Sequence, residues 1–560
     1  MVLFNYLVLI IDALVLYQLK NLITFKGGIF MLRKKVTHLL AATILGMSLV
    51  NIQPVYATPK PTGNNTKSSI TKKAKDQIKK EQKVTILYYC DADNNLEDAL
   101  MSDIAEMKKG YVNNPNLNLI ALVDRTPGYS DDSTTLGENF EDTHLYKIEH
   151  NKATRLDGGK YFPEMKVNGT YEANMGDPET LKKFIEFGKN NYKADKYVLI
   201  MSNHGGGAKN KPNANEKLNK AVCWDDSNLD GENPDCLYIG EISDHLDESH
   251  SVDVLAFDAC LMGTAEVAYQ YRPGNGRFSA KTMIASSPVV WGPGFKYDDI
   301  FSRIKSGNTF TLQKDLTLGG RERCFDPATI TNEQIGALFV EEQRDSTSRY
   351  FRSDQELSCY DLTKAENIKR SFDKLAIDLS TKNKKSAIEK LRGSKTNVNL
   401  MHYFNEKKQL EWIEYPYFDI YDLCETISKS NDFDEETKKL AKDVMKNVDS
   451  MVLYSFGGKK FKGVGKFKEG KNGLSVFLPD GNRIYTSRYS SAKIPHWQIQ
   501  SWYNSIDTVA SGLNNPYGKL SWCKDGQDLE INKVGNWFEL LDSWFDKTNG
   551  PDGGFNHYQW

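Results

Sequence analysis

Residues 251–262 read SVDVLAFDACLM, and the fold turns on how that stretch is parsed. Val252, Val254, Leu255, Ala256 and Phe257 form a short, near-continuous apolar run, as in a parallel strand covered on both faces. The run stops on Asp258, Ala259 and Cys260. Ligands of open α/β sheets bind beyond the carboxyl ends of the strands, which is where a thiol placed here emerges. KYVLIM (Lys196–Met201) has the same build and runs into Ser202, Asn203, His204, Gly205, Gly206 and Gly207. Two parallel strands would therefore present a cysteine and a histidine at one sheet edge.

Outward from these two strands, Val84–Cys90, Asn116–Val123, His144–Ile148 and Thr282–Ala285 read as further strands. Leu96–Met107, Pro178–Tyr192, Ile239–Leu246 and Gly263–Tyr271 read as helices, with Asp177 placed as an N-cap. Strand and helix alternate over 84–300, which predicts an α/β/α sandwich with a mostly parallel central sheet. Beyond it, 301–560 reads as a C-terminal α+β region, with helices at Leu362–Leu379, Asp434–Val448 and Trp537–Phe545 and a strand in Gly473–Pro479. Trp497, Trp502, Trp522, Trp537, Trp544 and Trp560 recur at irregular spacings, which fits core packing better than a carbohydrate platform.

The chain has 560 residues, 39% of them hydrophobic and 26% charged, as in an ordinary soluble globular protein of about three domains. A net charge of −2 supplies no basic field to attract phosphates, so nucleic acid is set aside. Residues 1–30 read as an upstream extension translated from a false start, the alternative being a real amino-terminal anchor in the apolar stretch Met1–Leu19. From Met31 onward, Arg33, Lys34 and Lys35 form a positive n-region and Leu39–Val50 an apolar h-region. Val55, Tyr56 and Ala57 supply the small residues of a cleavage site. This predicts export, removal of 31–57 after Ala57, and no stable membrane span in the mature protein. Residues 58–83 are polar and lysine-rich, the composition of a disordered propeptide. The eight cysteines are scattered rather than clustered into a disulfide framework; if Cys260 is a working thiol, the odd remainder leaves at least one more free.

A cysteine attacks as thiolate, so it needs an imidazole that stabilises the anion and later protonates the departing amine. His204 is placed for both. The glycines after it let backbone amides approach closely, so the N–H groups of Gly205 and Cys260 are the expected oxyanion donors. Residues two apart in extended chain face the same side, which puts Asp258 beside the nucleophile. A bare carboxylate there opposes thiolate formation unless a cation accompanies it. A substrate cation meets that need, so the pattern points to cleavage of proteins and peptides after Arg or Lys.

Five motifs, YYCDADNNLE (Tyr88–Glu97), SNHGGG (Ser202–Gly207), CWDDS (Cys223–Ser227), AFDACLMGTAEVAY (Ala256–Tyr269) and GLSVFLP (Gly473–Pro479), carry a resemblance to the clostripain family of cysteine peptidases, in the clan of caspases, gingipains and legumain. The resemblance implies a caspase-like fold, a His204/Cys260 dyad, and Asp258 at the base of an S1 pocket that selects Arg with Lys second. It also implies self-cleavage into light and heavy chains that stay associated. Between Gly205 and Val222 the basic residues are all lysines, in a polar loop suited to proteolysis. The expected cut is Lys220–Ala221, with Lys80 or Lys83 as further targets in the leader. One stretch departs from the family: an acidic pair is expected after the strand at Ile284, where this chain reads Ser286, Ser287 and Pro288.

The chemistry itself needs no cofactor, but the resemblance admits calcium. Asp226, Asn228, Asp230 and Gly231 match the first half of a calcium loop, with Leu237 where a bidentate Glu is needed. Asp91, Asp93 and Asn95 have similar spacing, and a helix cap accounts for them equally well. Two rival readings remain. HGGG (His204–Gly207) is an oxyanion motif of some serine esterases, but no G-x-S-x-G follows anywhere. An exported, non-catalytic adhesin leaves the His204 and Cys260 pairing unexplained.

Overall fold

The computed structural model describes residues 82–545, except 212–220, 228–233, 307–318, 320–322, 347–348, 395–396, 406–414, 480–483, 487–492, 496–516, 529 and 531–532. Ala57, Lys80, Lys220, Asn228, Asp230, Trp497, Trp502 and Trp560 lie outside the described residues.

Nine strands form one sheet. The strands before residue 300, not all of them in that sheet, are β1 (Val84–Ala92), β2 (Leu117–Arg125), β3 (Thr143–Glu149), β4 (Lys152–Leu156), β5 (Lys196–Ser202), β6 (Val222–Asp225), β7 (Asp235–Leu237), β8 (Val252–Asp258) and β9 (Ala280–Ala285). Strands β9, β8, β5, β1 and β2 lie side by side and parallel. Antiparallel β3 and β4 extend one edge. At the other edge the sheet continues past residue 300, because β10 (Glu356–Asp361) pairs antiparallel with β9 and Val452–Gly457 pairs with β10. β6 and β7 form a separate short ribbon. This is the expected α/β/α sandwich, parallel at its centre.

Side chains alternate across the sheet with the period of two that a pleat imposes. Leu87, Tyr89, Leu199, Met201, Leu255 and Phe257 belong to one core layer. Ile86, Tyr88, Val198, Ile200, Val254 and Ala256 belong to the other. Helix α1 (Glu97–Gly110) covers the second layer with Leu100, Met101, Ile104 and Met107. Its acidic first turn and basic last turn complement the helix dipole. Helix α2 (Pro178–Asn191) covers the first layer, and Asp177 caps it by accepting the Glu179 N–H at 2.9 Å, with Pro178 at the first helical position.

The C-terminal helices Ala365–Thr381, Glu435–Met451 and Trp537–Phe545 pack on the α2 layer. Trp522, Trp537 and Trp544 are buried there, so these aromatics are core. All eight cysteines are free, and seven of them are buried. Among the described residues, no helix is long and apolar enough to cross a membrane.

Candidate active site

The central strands end level. Register pairs Cys90 with Ser202 and Ser202 with Asp258, so the segments after β1, β5 and β8 leave the sheet at one edge. His204 follows β5 by two residues and Cys260 follows β8 by two. The register therefore brings the two predicted residues together.

The loop that follows His204 passes close against the cysteine turn. A Cβ on Gly205 would stand 2.1 Å from the Cys260 carbonyl oxygen and 2.6 Å from its nitrogen, so only glycine lets the histidine loop pass the cysteine turn. Gly207 has φ +72°, and a Cβ on it would meet the Tyr417 hydroxyl, which accepts the Ala208 N–H at 2.8 Å. His204 Nε2 lies 3.0 Å from Asn95 Oδ1 on the segment after β1. The Asn94 and Asn203 amides fix that segment by donating to the carbonyls of Asp91 and Trp224.

Of the eight thiols, only Cys260 is not fully buried. Its Sγ–H donates to the Val290 carbonyl at 3.6 Å. Burial pushes the thiol up to about 11, and the charge of Asp258 adds to that. The N–H groups of Gly205 and Cys260, the pair expected as oxyanion donors, both bond toward the sulfur and oppose the shift.

Asp258 lies at the end of β8 with 5% of its surface exposed. Its Oδ2 accepts the Phe295 N–H at 3.2 Å and the Tyr297 O–H at 2.9 Å. Burial nonetheless pushes its carboxyl up to about 6. A cavity of about 210 Å³ is lined by His204, Cys260, Asp258, Trp291 and Gly294, together with Asp103 of α1. Sequence reasoning missed Asp103. Its signal was a carboxylate three residues after Leu100 and four before Met107, on the core face of an amphipathic helix. A larger hollow of about 840 Å³ beside Phe140, Arg155 and Tyr171 includes neither His204 nor Cys260.

The departing stretch 286–288 is structural. The Leu261 N–H donates to the Pro288 carbonyl and the Gly263 N–H to the Ser286 carbonyl, which clamps the cysteine turn with Leu261 at φ +68°. Ser287 bonds to Glu356 and to the carbonyls of Gly263 and Gly473. The strand expected in Gly473–Pro479 is the short Ser475–Phe477, and it too supports the turn, with the Ser475 N–H donating to the Gly263 carbonyl at 3.0 Å.

A second carboxylate group gathers nearby. One oxygen each of Asp93, Asp124 and Asp225 lie within 4.8 Å of one another. Each acid has one oxygen engaged, by Ser227, Thr143 and the Met175 N–H respectively, and one buried oxygen without a partner. Both oxygens of Asp91 and one of Glu172 are likewise buried and unbonded. Burial and mutual repulsion push Asp225 up to about 9 and Glu172 to about 8. Of the calcium residues expected from sequence, Asp93 is in this group, while Asp226 instead accepts the Trp224 Nε1–H at 2.7 Å. Asp91 is paired in register with Asp124, and repulsion by Asp225 and Asp93 adds to the burial that raises its carboxyl.

The processing positions fall at the rim of the fold. Ala221 is buried immediately before β6. Lys83 is exposed, but its N–H donates to Asp195 Oδ2 at 2.9 Å and its carbonyl accepts from Asp195 and Lys196, tying it to the start of β5.

Residues 88–544 match the clostripain family. The chain is 66% identical over 534 residues to clostripain of Hathewaya histolytica, covering 95% of this chain and all of that protein. Among solved structures it is similar to a secreted C11 cysteine protease of Bacteroides thetaiotaomicron in complex with an irreversible peptide inhibitor. That match has 17% identity and a TM-score of 0.44 and covers 71% of this chain and 92% of the other. An inactive zymogen C11 protease of Parabacteroides distasonis matches at 17% identity and a TM-score of 0.43, covering 79% and 97%. The esterase and adhesin readings give way to the family match. The chain belongs to the clostripain family, and it is a cysteine endopeptidase.

Proposed function

We propose that this protein is an exported endopeptidase that cleaves after arginine, and secondarily lysine, with Cys260 as nucleophile and His204 as general acid and base. The observation that carries the reading is the convergence of Cys260, His204 and buried Asp258 on one cavity at the level ends of β5 and β8. Cys260 Sγ attacks the scissile carbonyl carbon, and the thiol proton passes to His204. The N–H groups of Gly205 and Cys260 hold the oxyanion. As the C–N bond breaks, the imidazolium returns the proton to the departing amine. Water then hydrolyses the thioester, releasing a carboxylate and restoring the thiol. An Nε2–H donated to Asn95 fixes the tautomer in which Nδ1 is the basic nitrogen.

At rest the thiol is held neutral by burial and by Asp258. A P1 cation seated on Asp258 cancels that charge, so the substrate that fits also lowers the thiol pKa. The same specificity supports self-processing at Lys220–Ala221 into associated chains. In the leader, a cut at Lys80 leaves the Lys83 backbone bonds intact and is favoured over Lys83. Removal of residues 31–57 as a signal and 58–80 as a propeptide completes maturation.

The orphaned oxygens of Asp93, Asp124 and Asp225 fit a hard divalent cation such as calcium, which takes six to eight oxygen ligands. Asp93, Asp124 and Asp225 would hold it, and it would compensate their charge. No step of the chemistry runs through it.

The test is to express wild type, Cys260→Ala and His204→Ala, following self-cleavage on a gel and hydrolysis of Arg, Lys and Leu reporter peptides. Wild type should split and cut after Arg, then Lys; both variants should stay whole and lose about 10³-fold or more in rate. Cleavage by Cys260→Ala at the wild-type rate would discard the dyad. Amino-terminal sequencing of the heavy chain checks the processing site, with Ala221 expected.

A further inference from the structure

Helix α1 lays one carboxylate on its core face. Asp103 is 3% exposed, flanked by Leu100 and Ile104. No described residue donates a hydrogen bond to it, and the nearest charges are Asp258 and Glu106, which repel it, and Lys296. Lys296 already pairs with Glu106 at 2.8 Å. A buried carboxylate in that position is costly unless something positive reaches it. Asp103 opens onto the same cavity as Cys260.

Gly294 shows how close the two acids come. It sits at φ +56°, and a Cβ on it would lie 3.0 Å from Asp258 Oδ2, 3.2 Å from Asp103 Oδ2 and 3.4 Å from Asp103 Oδ1. Two carboxylates that both touch one point at that range can be bridged by a single guanidinium, whose N–H groups bond at about 2.7–2.9 Å. An ammonium is a compact point charge without that planar fork.

We propose that Asp103 is the second carboxylate of the S1 pocket, facing Asp258 across Gly294, and that the pair ranks a P1 guanidinium above a P1 ammonium. The inference rests on the reading of Asp258 as an S1 residue. Ser286 and Ser287, which follow β9, bond inward and leave the second acid of the cavity to α1.

Burial raises both carboxyls; repulsion by Asp258 and Glu106 adds to it at Asp103, and repulsion by Glu106 adds to it at Asp258, with Tyr88, Tyr297, Lys296 and Cys260 as the other titratable groups around them. The free pair therefore holds a proton that an arriving guanidinium displaces. Capture of Arg should strengthen as pH rises through about 6.

The experiment compares wild type, Asp103→Asn, Asp258→Asn and Gly294→Ala on matched reporter peptides with Arg, Lys or citrulline at P1. For Asp103→Asn, the Arg-to-Lys ratio of kcat/KM should fall about tenfold or more, mainly through KM, while citrulline cleavage changes by less than about twofold. The rate of Cys260 alkylation should also stay within about twofold, which separates a pocket role from a folding defect. If Asp103→Asn proves unstable, Gly294→Ala poses the same question without removing an acid, and it too should lose Arg more than Lys. An unchanged Arg-to-Lys ratio beside a collapsed Asp258→Asn overturns the inference alone. Undiminished Arg and Lys cleavage by Asp258→Asn overturns the S1 reading beneath it.

Discussion

Two groups of buried carboxylates stand at one edge of the same sheet, and they answer burial differently. Asp103 and Asp258 face a cavity, and Asp258 has two protein donors, the Phe295 N–H and the Tyr297 O–H. Its carboxyl rises only to about 6. Asp91, Asp93, Asp124 and Asp225 crowd together with bare oxygens, and Asp225 rises to about 9. Several uncompensated buried charges cost more than a whole fold's margin of about 5–15 kcal/mol. On the proposed reading, the pocket waits for a cation that comes and goes with each substrate, while the cluster would take one that stays. On that reading, position relative to solvent, rather than residue type, separates a specificity device from a structural one.

The largest expected effect breaks the comparison on the pocket side. Asp258→Asn should lower kcat/KM for Arg peptides by about 10³-fold, because a site built around a buried charge rejects what it cannot pair. It should not destabilise the fold. With the folded carboxyl raised from 3.8 to about 6, the native state holds a proton that the unfolded chain releases. That raised value costs stability as pH climbs from about 4 to 6, and the variant escapes the loss. Its thermal midpoint should equal wild type near pH 4 and exceed it above pH 6; a lower midpoint at pH 7.5 would mean that the carboxylate is structural.

On the cluster side the effect is smaller and of opposite kind. Wild type should gain about 5 °C or more in thermal midpoint on going from EDTA to millimolar calcium, since a ligand that binds only the native state stabilises it. Asp225→Asn should lose most of that gain while being no less stable than wild type in EDTA. Equal midpoints with and without calcium would remove the cation from this site.

The two groups were unequally legible in the sequence. Cys260, His204 and Asp258 end apolar strands, so local pattern plus parallel pairing was enough to bring them together. Asp103 belongs to a helix, and its core-facing row was visible in Leu100, Ile104 and Met107; only the sheet shows that the acid opposite is Asp258. Asn95 sat inside DADNN, where caps, metal ligands and turns share one composition, and its contact with His204 depends on the level ends of β1 and β5. Asp124 and Asp225 come from β2 and β6, far apart in sequence, so no loop spacing could have announced a cluster. The edge strands β10 and Val452–Gly457 pair across long separations and left no local signature that distinguished them from the helices between.

The smallest effect sharpens the link between pocket and nucleophile. Asp258 is a negative charge acting on the Cys260 sulfur, so replacing it by Asn should lower the thiol pKa from about 11 and speed alkylation by a small neutral reagent about two- to fivefold at pH 8. A small alkylguanidine seated in the pocket of the wild type supplies the same cancellation and should raise its alkylation rate too. In Asp258→Asn it should do nothing, because the charge it would cancel is gone. Slower alkylation of the wild type with the guanidine bound would show that steric cover outweighs charge, and substrate-assisted activation of the thiol would then have to be abandoned, leaving Asp258 a role in binding alone.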